Sequence, residues 1–155
     1  VDGPSTPVTR DELADRLAAA GRAFLVPEEG LEVEHTRLFL NPLGAPCPPW
    51  QSVYEPAEGD VALLLGPAHQ SALAWYRRFE VEPAAENEPA DHIGLLLLFY
   101  ARLLAEQVPD ETLDEFRRQH LAWIPAFLAR VQDETRSEAF RSLAAEVTTL
   151  LDLRV

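Results

Sequence analysis

The sequence predicts an all-α protein, a single-domain bundle of six or seven helices around one buried central helix at about residues 91–107. Three observations predict it. Apolar residues recur at three- and four-residue spacing in one segment after another. The run Ile93 to Ala101 continues into a helix that is apolar on nearly every face, as a helix at the centre of a bundle is. The one strand-like run, Val61 to Leu65, has no second strand to pair with, and an isolated strand is not stable.

The elements follow in order. Thr9-Arg10-Asp11-Glu12 has the S/T-x-x-E capping pattern, with Leu13, Leu17, Ala20 and Phe24 at helical spacing behind it, so a first helix is expected from Thr9 to Phe24. Pro27 suits the first turn of a second helix, which carries Leu31, Leu38 and Phe39 and ends near Asn41 and Pro42. Asn41 to Asp60 contains five prolines and two glycines, too many for a regular element to persist. Trp50, Val53 and Tyr54 need apolar surroundings, so this stretch is expected to be an ordered loop pinned by its aromatics rather than a linker. Val61 to Leu65 reads as a strand or an irregular buried turn. Pro67 opens a helix through Ala72, Leu73, Trp75, Tyr76 and Phe79 that ends before Pro83. The central helix begins at Glu88 to Asp91 and runs to about Gln107. Asp110 caps a helix with Leu113, Phe116, His120, Leu121 and Ile124; Pro125 breaks or kinks it, and Phe127 and Leu128 continue it. A last helix, Ser137 to about Leu153, puts Phe140, Leu143, Ala144, Val147, Leu150 and Leu151 on one face.

Composition excludes several function classes. With 155 residues, 47% apolar and 25% charged, the chain suits one packed core. Its 26 acidic residues against 13 arginines and no lysine give a net charge of -13 with no basic stripe, which argues against nucleic acid and favours cationic partners. The lone Cys47 permits no intramolecular disulfide, and no paired cysteine spacing suggests a metal cluster, so a reducing compartment is expected. The longest apolar run falls short of the about 20 residues that span a bilayer, and Val1 to Pro7 has no secretory pattern, so a cytoplasmic protein is expected. Methionine is absent, which implies that Val1 is not the natural start.

Asp91-His92, at the head of the central helix, is the most suggestive polar pair. On the structural reading, Pro89 occupies the first turn and Asp91 meets the exposed backbone N–H groups of its own helix. On the functional reading, a carboxylate and an imidazole at a helix start grip an arginine or sense pH. Catalysis by the pair would need a nucleophile or a metal, and no recognisable spacing supplies either. A small metal- or nucleotide-dependent hydrolase using Asp91 and His92 is the alternative, and a structural subunit assembling through apolar helix faces is a third reading. Against the first, His35, His69 and His120 lie singly on other segments, and no P-loop sequence is present. His120 is expected to be a satisfied core histidine. Cys47, among prolines and without a cation or base beside it, shows no sign of activation.

Three motifs in this order resemble the TorD/DmsD family of redox-enzyme maturation chaperones. Thr36-Arg37-Leu38-Phe39-Leu40-Asn41-Pro42 is similar to the family's R-L-F-x-x-P helix end. Pro46 through Tyr54 is similar to its P-P-W-x-S-V-Y loop, and Asn87-Glu88-Pro89-Ala90-Asp91-His92-Ile93 to its E-P-x-D-H helix start. His120-Leu121-Ala122-Trp123-Ile124-Pro125 resembles the H-x-x-W-x-P element that follows. The resemblance implies a non-catalytic, cofactor-free cytoplasmic chaperone. It would bind the twin-arginine signal peptide of a molybdenum-dependent reductase and the apo-form of that enzyme, holding the precursor until its cofactor is inserted. Carried over motif by motif, the peptide-binding residues are Leu38, Phe39, Pro49, Trp50, Ser52, Tyr54, Asp91 and His92. A receptor for two arginines beside an apolar helical segment needs carboxylates next to an apolar groove, which agrees with these residue types. Members carry further helices before the R-L-F motif than Thr9 to Phe24 supplies, so residues 1–155 are expected to form one domain lacking N-terminal helices of the family. A homodimer that exchanges helices would make up the loss.

Overall fold

A computed structural model describes residues 8–41, 43–55, 65–83 and 87–155. Among them there are eight helices and no strand. Helix α1 (Arg10–Leu25) is capped by Thr9, whose hydroxyl accepts from the Glu12 N–H at 3.1 Å, so the capping pattern is used as the sequence suggests. Helix α2 starts with one α-helical turn, Glu32–His35, and runs on into a π-helical turn, Thr36–Leu40. Pro27 is not in it: Gly30, at φ +92, takes a conformation that only glycine adopts freely and separates Pro27 from the helix. The proline-rich loop contains a one-turn helix, α3 (Gln51–Tyr54). Then come α4 (Pro67–Arg78) and the central helix α5 (Ile93–Ala105). Helix α6 (Asp110–Phe116) likewise passes into a π-helical turn, Arg117–Leu121. Pro125 sits in the first turn of α7 (Ile124–Glu134), so it breaks the predicted long helix in two. Ser137 caps α8 (Glu138–Asp152). The predicted strand or turn at Val61 to Leu65 lies outside the described residues except for Leu65, which is in a turn.

Helix α5 is the core. Ten of its residues are buried, Leu98 being the one large apolar side chain left partly open. Gly21 of α1 meets Gly94 of α5, while Ala14 and Ala18 share a cavity wall with Ala101 and Ala105, so the two helices run antiparallel. Two aromatic clusters fill the remaining space. Phe24, Phe39, Phe127 and Phe140 join α1, α2, α7 and α8 at centroid distances of 5.5 to 5.9 Å. Trp75, Phe99 and Phe116 join α4, α5 and α6, with Trp75 5.2 Å and Phe99 5.1 Å from Phe116. Both π-helical turns present two consecutive buried side chains to the interior, Leu38 with Phe39 and His120 with Leu121. The wider turn changes the angular step between residues, and π-turns concentrate at functional positions. No described helix is long and apolar enough to cross a membrane.

Candidate functional site

Residues 47–55 form a strap across the start of α5. The Cys47 N–H donates to the carbonyl of Leu38 at 2.9 Å, which ties one end of the strap to the π-turn of α2. Pro49 cannot donate, but its carbonyl accepts from the Ile93 N–H at 2.8 Å, and the Gln51 N–H donates to the Asp91 carbonyl at 3.2 Å. These two bonds make an antiparallel bridge between Trp50 and His92. His92 is therefore extended, at φ -64 and ψ 139, and the central helix begins at Ile93 rather than at Glu88 to Asp91.

This late start decides what the polar pair does. The cap of α5 is His92, whose Nδ1 accepts from the Gly94 N–H at 2.9 Å. Asp91 faces the strap, where Oδ2 accepts from the Ser52 N–H at 2.9 Å in the only turn of α3. The expected bond from Asp91 to its own helix is replaced by a cross-chain cap that holds the strap down. Asp91 is 0% exposed; its Oδ1 and the Ser52 hydroxyl have no hydrogen-bond partner among the described residues. Nδ1 of His92 must be unprotonated to accept, and burial pushes that imidazole down to about 3. The pair is thus a buried latch and not an acid-base couple. Asp91→Ala leaves the Ser52 N–H buried without an acceptor and is expected to cost about 1–3 kcal/mol, read by urea unfolding; unchanged stability would show that the strap is held without Asp91.

Above the latch lies the accessible part of the cluster. Trp50, half-buried, stands edge-on to His92 at 6.2 Å, and its indole N–H donates to Glu88 Oε1 at 3.3 Å. Glu88 is also half-buried; burial raises its carboxyl, and the bond from Trp50 opposes that rise. No arginine among the described residues forms a salt bridge with it. The structure therefore brings Pro49, Trp50, Ser52, Asp91 and His92 together. Leu38 and Phe39, 0% and 1% exposed, lie in the core behind them, with Phe39 packed against Phe24 and Phe140. Tyr54 packs on Trp123 at 5.2 Å under the guanidinium of Arg130, and burial pushes its hydroxyl up to about 12.

Sequence reasoning missed the network beneath the strap. Gln51, 4% exposed, donates to the Gln119 carbonyl at 2.7 Å, and its Oε1 meets His120 Nδ1 at 2.8 Å. His120 Nε2 in turn lies 2.9 Å from the Ser71 hydroxyl. Serine, imidazole and amide have the spacing of a nucleophile, base and orienter. Burial holds His120 down at about 4, however, too weak a base for neutral pH, so the chain is a polar clamp between strap, α4 and α6. The expectation of a satisfied core histidine is met. No periodic signal marks such a network, because its members come from three separate segments. No group of His, Cys, Asp or Glu among the described residues could hold a metal, and Cys47, pushed up to about 11 by burial, is an inert thiol.

Comparison with known proteins agrees with this architecture. The model of the nitrate reductase delta subunit family matches residues 5–129. The Tat proofreading chaperone DmsD of Salmonella typhi is 36% identical over 121 residues, covering 74% of this chain and 56% of that protein. The chaperone protein TorD of Shewanella piezotolerans is 26% identical over 119 residues, covering 74% and 55%. The chain thus spans little more than half the length of these relatives. A crystal structure assigned to a redox enzyme maturation protein of Archaeoglobus fulgidus superimposes with a TM-score of 0.62 at 25% identity, covering 98% of this chain and 99% of that one. With the three motifs joined at one strap and the helical fold shared, the chain belongs to the TorD/DmsD family of redox-enzyme maturation chaperones.

Proposed function

We propose that this protein is a cytoplasmic, non-catalytic chaperone that binds the twin-arginine signal peptide of a molybdenum-dependent reductase precursor and holds the apo-enzyme until its cofactor is in place. The observation that carries the reading is the convergence of the family motifs on one strap, where Trp50 joins Glu88 and His92 and leaves an indole face half open. Such an amphipathic ring beside a carboxylate suits a peptide that combines cations with apolar side chains. Trp50 makes the contact, while Pro49, predicted as a contact residue, is buried and sets the course of the strap through its carbonyl bond to Ile93. Ser52, Asp91 and His92 fix the strap from below, Leu38 and Phe39 form its floor, and Tyr54 anchors its far end. The net charge of -13 speeds encounter with a cationic peptide and makes the rate fall with salt. A homodimer is part of the same proposal.

Titration with a twin-arginine peptide tests the reading, with tryptophan fluorescence and calorimetry as readouts. Saturable binding that weakens at high salt is expected. Trp50→Ala should lower affinity about tenfold or more, the loss of one well-packed aromatic anchor. Asp91→Asn should leave the salt dependence of binding unchanged, because the buried carboxylate holds the strap rather than meeting the peptide's charges. No saturable signal from the unmodified protein would sink the proposal.

A further inference from the structure

Two cavities lie end to end along α1. One, of about 330 Å³, is bounded by Ala14, Ala18, Leu95, Leu98 and Ala101, with Asp15, Glu82 and Arg102 at its edge. The other, of about 730 Å³, is bounded by Ala19, Ala23, Leu25, Val26 and Leu98, with Glu28, Glu88 and Arg22 at its edge. They share Leu98, the one large apolar side chain of α5 that the core does not cover. From Ala14 to Val26 the wall follows α1 for about 18 Å at 1.5 Å per residue, the length of about three helical turns. The floor on the α1 side is alanine, which lets a partner backbone approach closely, and the far end carries Val26 at 71% exposure.

Charge is unevenly placed along this groove. Glu88 and Glu28 stand at the end where α1 finishes, against the single cation Arg22. Glu88 has no salt bridge among the described residues and is already partly desolvated, so a guanidinium arriving there would gain a charge-assisted bond with little further burial of the carboxylate. Glu88 also accepts from Trp50, which makes the acidic end of the groove continuous with the strap.

We infer that the groove between α1 and α5 takes a peptide helix of about three apolar turns, and that Glu88, with Glu28, receives the cationic residues preceding that helix. The inference rests on the proposed function and deepens it. Arginine recognition moves from the buried Asp91 to Glu88, and the apolar segment runs away from the strap along Leu98 toward Ala101. The orientation follows from the charge: cations at the Val26 end, apolar turns toward Ala14.

The test uses the whole protein and two synthetic peptides, one with an Arg-Arg pair followed by a leucine-rich helix-forming segment, the other with both arginines replaced by glutamine. Ala19 is exposed, so Ala19→Trp fills the groove without touching the core; thermal melting checks that the fold is kept. Ala19→Trp is expected to weaken the arginine peptide at least tenfold. Glu88→Gln keeps an acceptor for Trp50 and is expected to weaken it about tenfold while leaving the glutamine peptide unchanged, so that the two charge removals are not additive. If the unmodified protein binds the peptide and Trp50→Ala abolishes binding, but Ala19→Trp and Glu88→Gln stay within twofold, the groove is excluded and the chaperone reading stands. No binding to the unmodified protein removes both.

Discussion

Gly94→Ala is expected to destabilise the protein by about 2–3 kcal/mol through overpacking of the α1–α5 contact. A Cβ at Gly94 would lie 2.6 Å from Leu25 Cγ and 2.7 Å from the Gly21 carbonyl oxygen, and one at Gly21 would lie 2.8 Å from the Gly94 carbonyl oxygen. Two of these neighbours are backbone, which cannot swing aside, so the helices must separate. Alanine gains about 1 kcal/mol over glycine in a helix, and the clash has to exceed that gain for the sign to hold. It should, because ten residues of α5 are buried and the separation would spread to Leu97 and Leu98, which crowd the same crossing. A melting temperature lowered by about 5–10 °C is the expected result. A melting temperature raised by the substitution would mean that the crossing is loose.

Acid is expected to weaken the fold from about pH 6.5 downward, beginning well above the range in which ordinary carboxylates titrate. His92 and His120 are held down at about 3 and about 4 by burial, and both make hydrogen bonds that depend on a neutral ring. In the unfolded chain they titrate near their ordinary value of 6.5. The unfolded state therefore binds more protons below pH 6.5, and stability drops as pH falls toward the folded values. At about 1.4 kcal/mol per unit for each group, the loss between pH 7 and pH 5 is on the order of 4 kcal/mol. Glu34, lowered to about 2 by Arg37 and by bonds from Arg136 and Thr135, extends the loss below pH 4.5. Glu88, raised by burial, acts in the opposite sense. Urea midpoints at pH 7 and pH 5 measure the difference directly; equal midpoints, or imidazole resonances that titrate near 6.5, would show that the two rings are open to water.

Most of the helices were legible because they announce themselves locally. Helix α3, however, forms in a stretch whose proline content argues against a regular element, and Asp110, expected to cap α6, is its first residue and makes no capping bond. Thr9 and Ser137 cap where their side chains suggest, Pro67 and Pro125 open helices as first-turn prolines do, and the apolar run from Ile93 reads as a helix buried all round. Pro27 misled, because φ +92 at Gly30 overrides the start signal three residues earlier.

What the sequence by itself determined was therefore the all-helical class, the identity of the central helix and the family, through capping, periodicity and three short motifs that are readable within a dozen residues each. What only the tertiary structure decided was the role of those motifs. Asp91 looked like the cap of its own helix and became the cap of another, because two backbone bonds from the strap keep His92 extended and turn the carboxylate across the chain. Leu38 and Phe39 looked like contact residues and lie in the core, while Glu88, half-buried, lines a cavity with Ala19 and Ala23 of α1. Burial and cross-chain hydrogen bonding depend on which distant segments meet, and that is a property of the packed bundle rather than of any stretch of sequence.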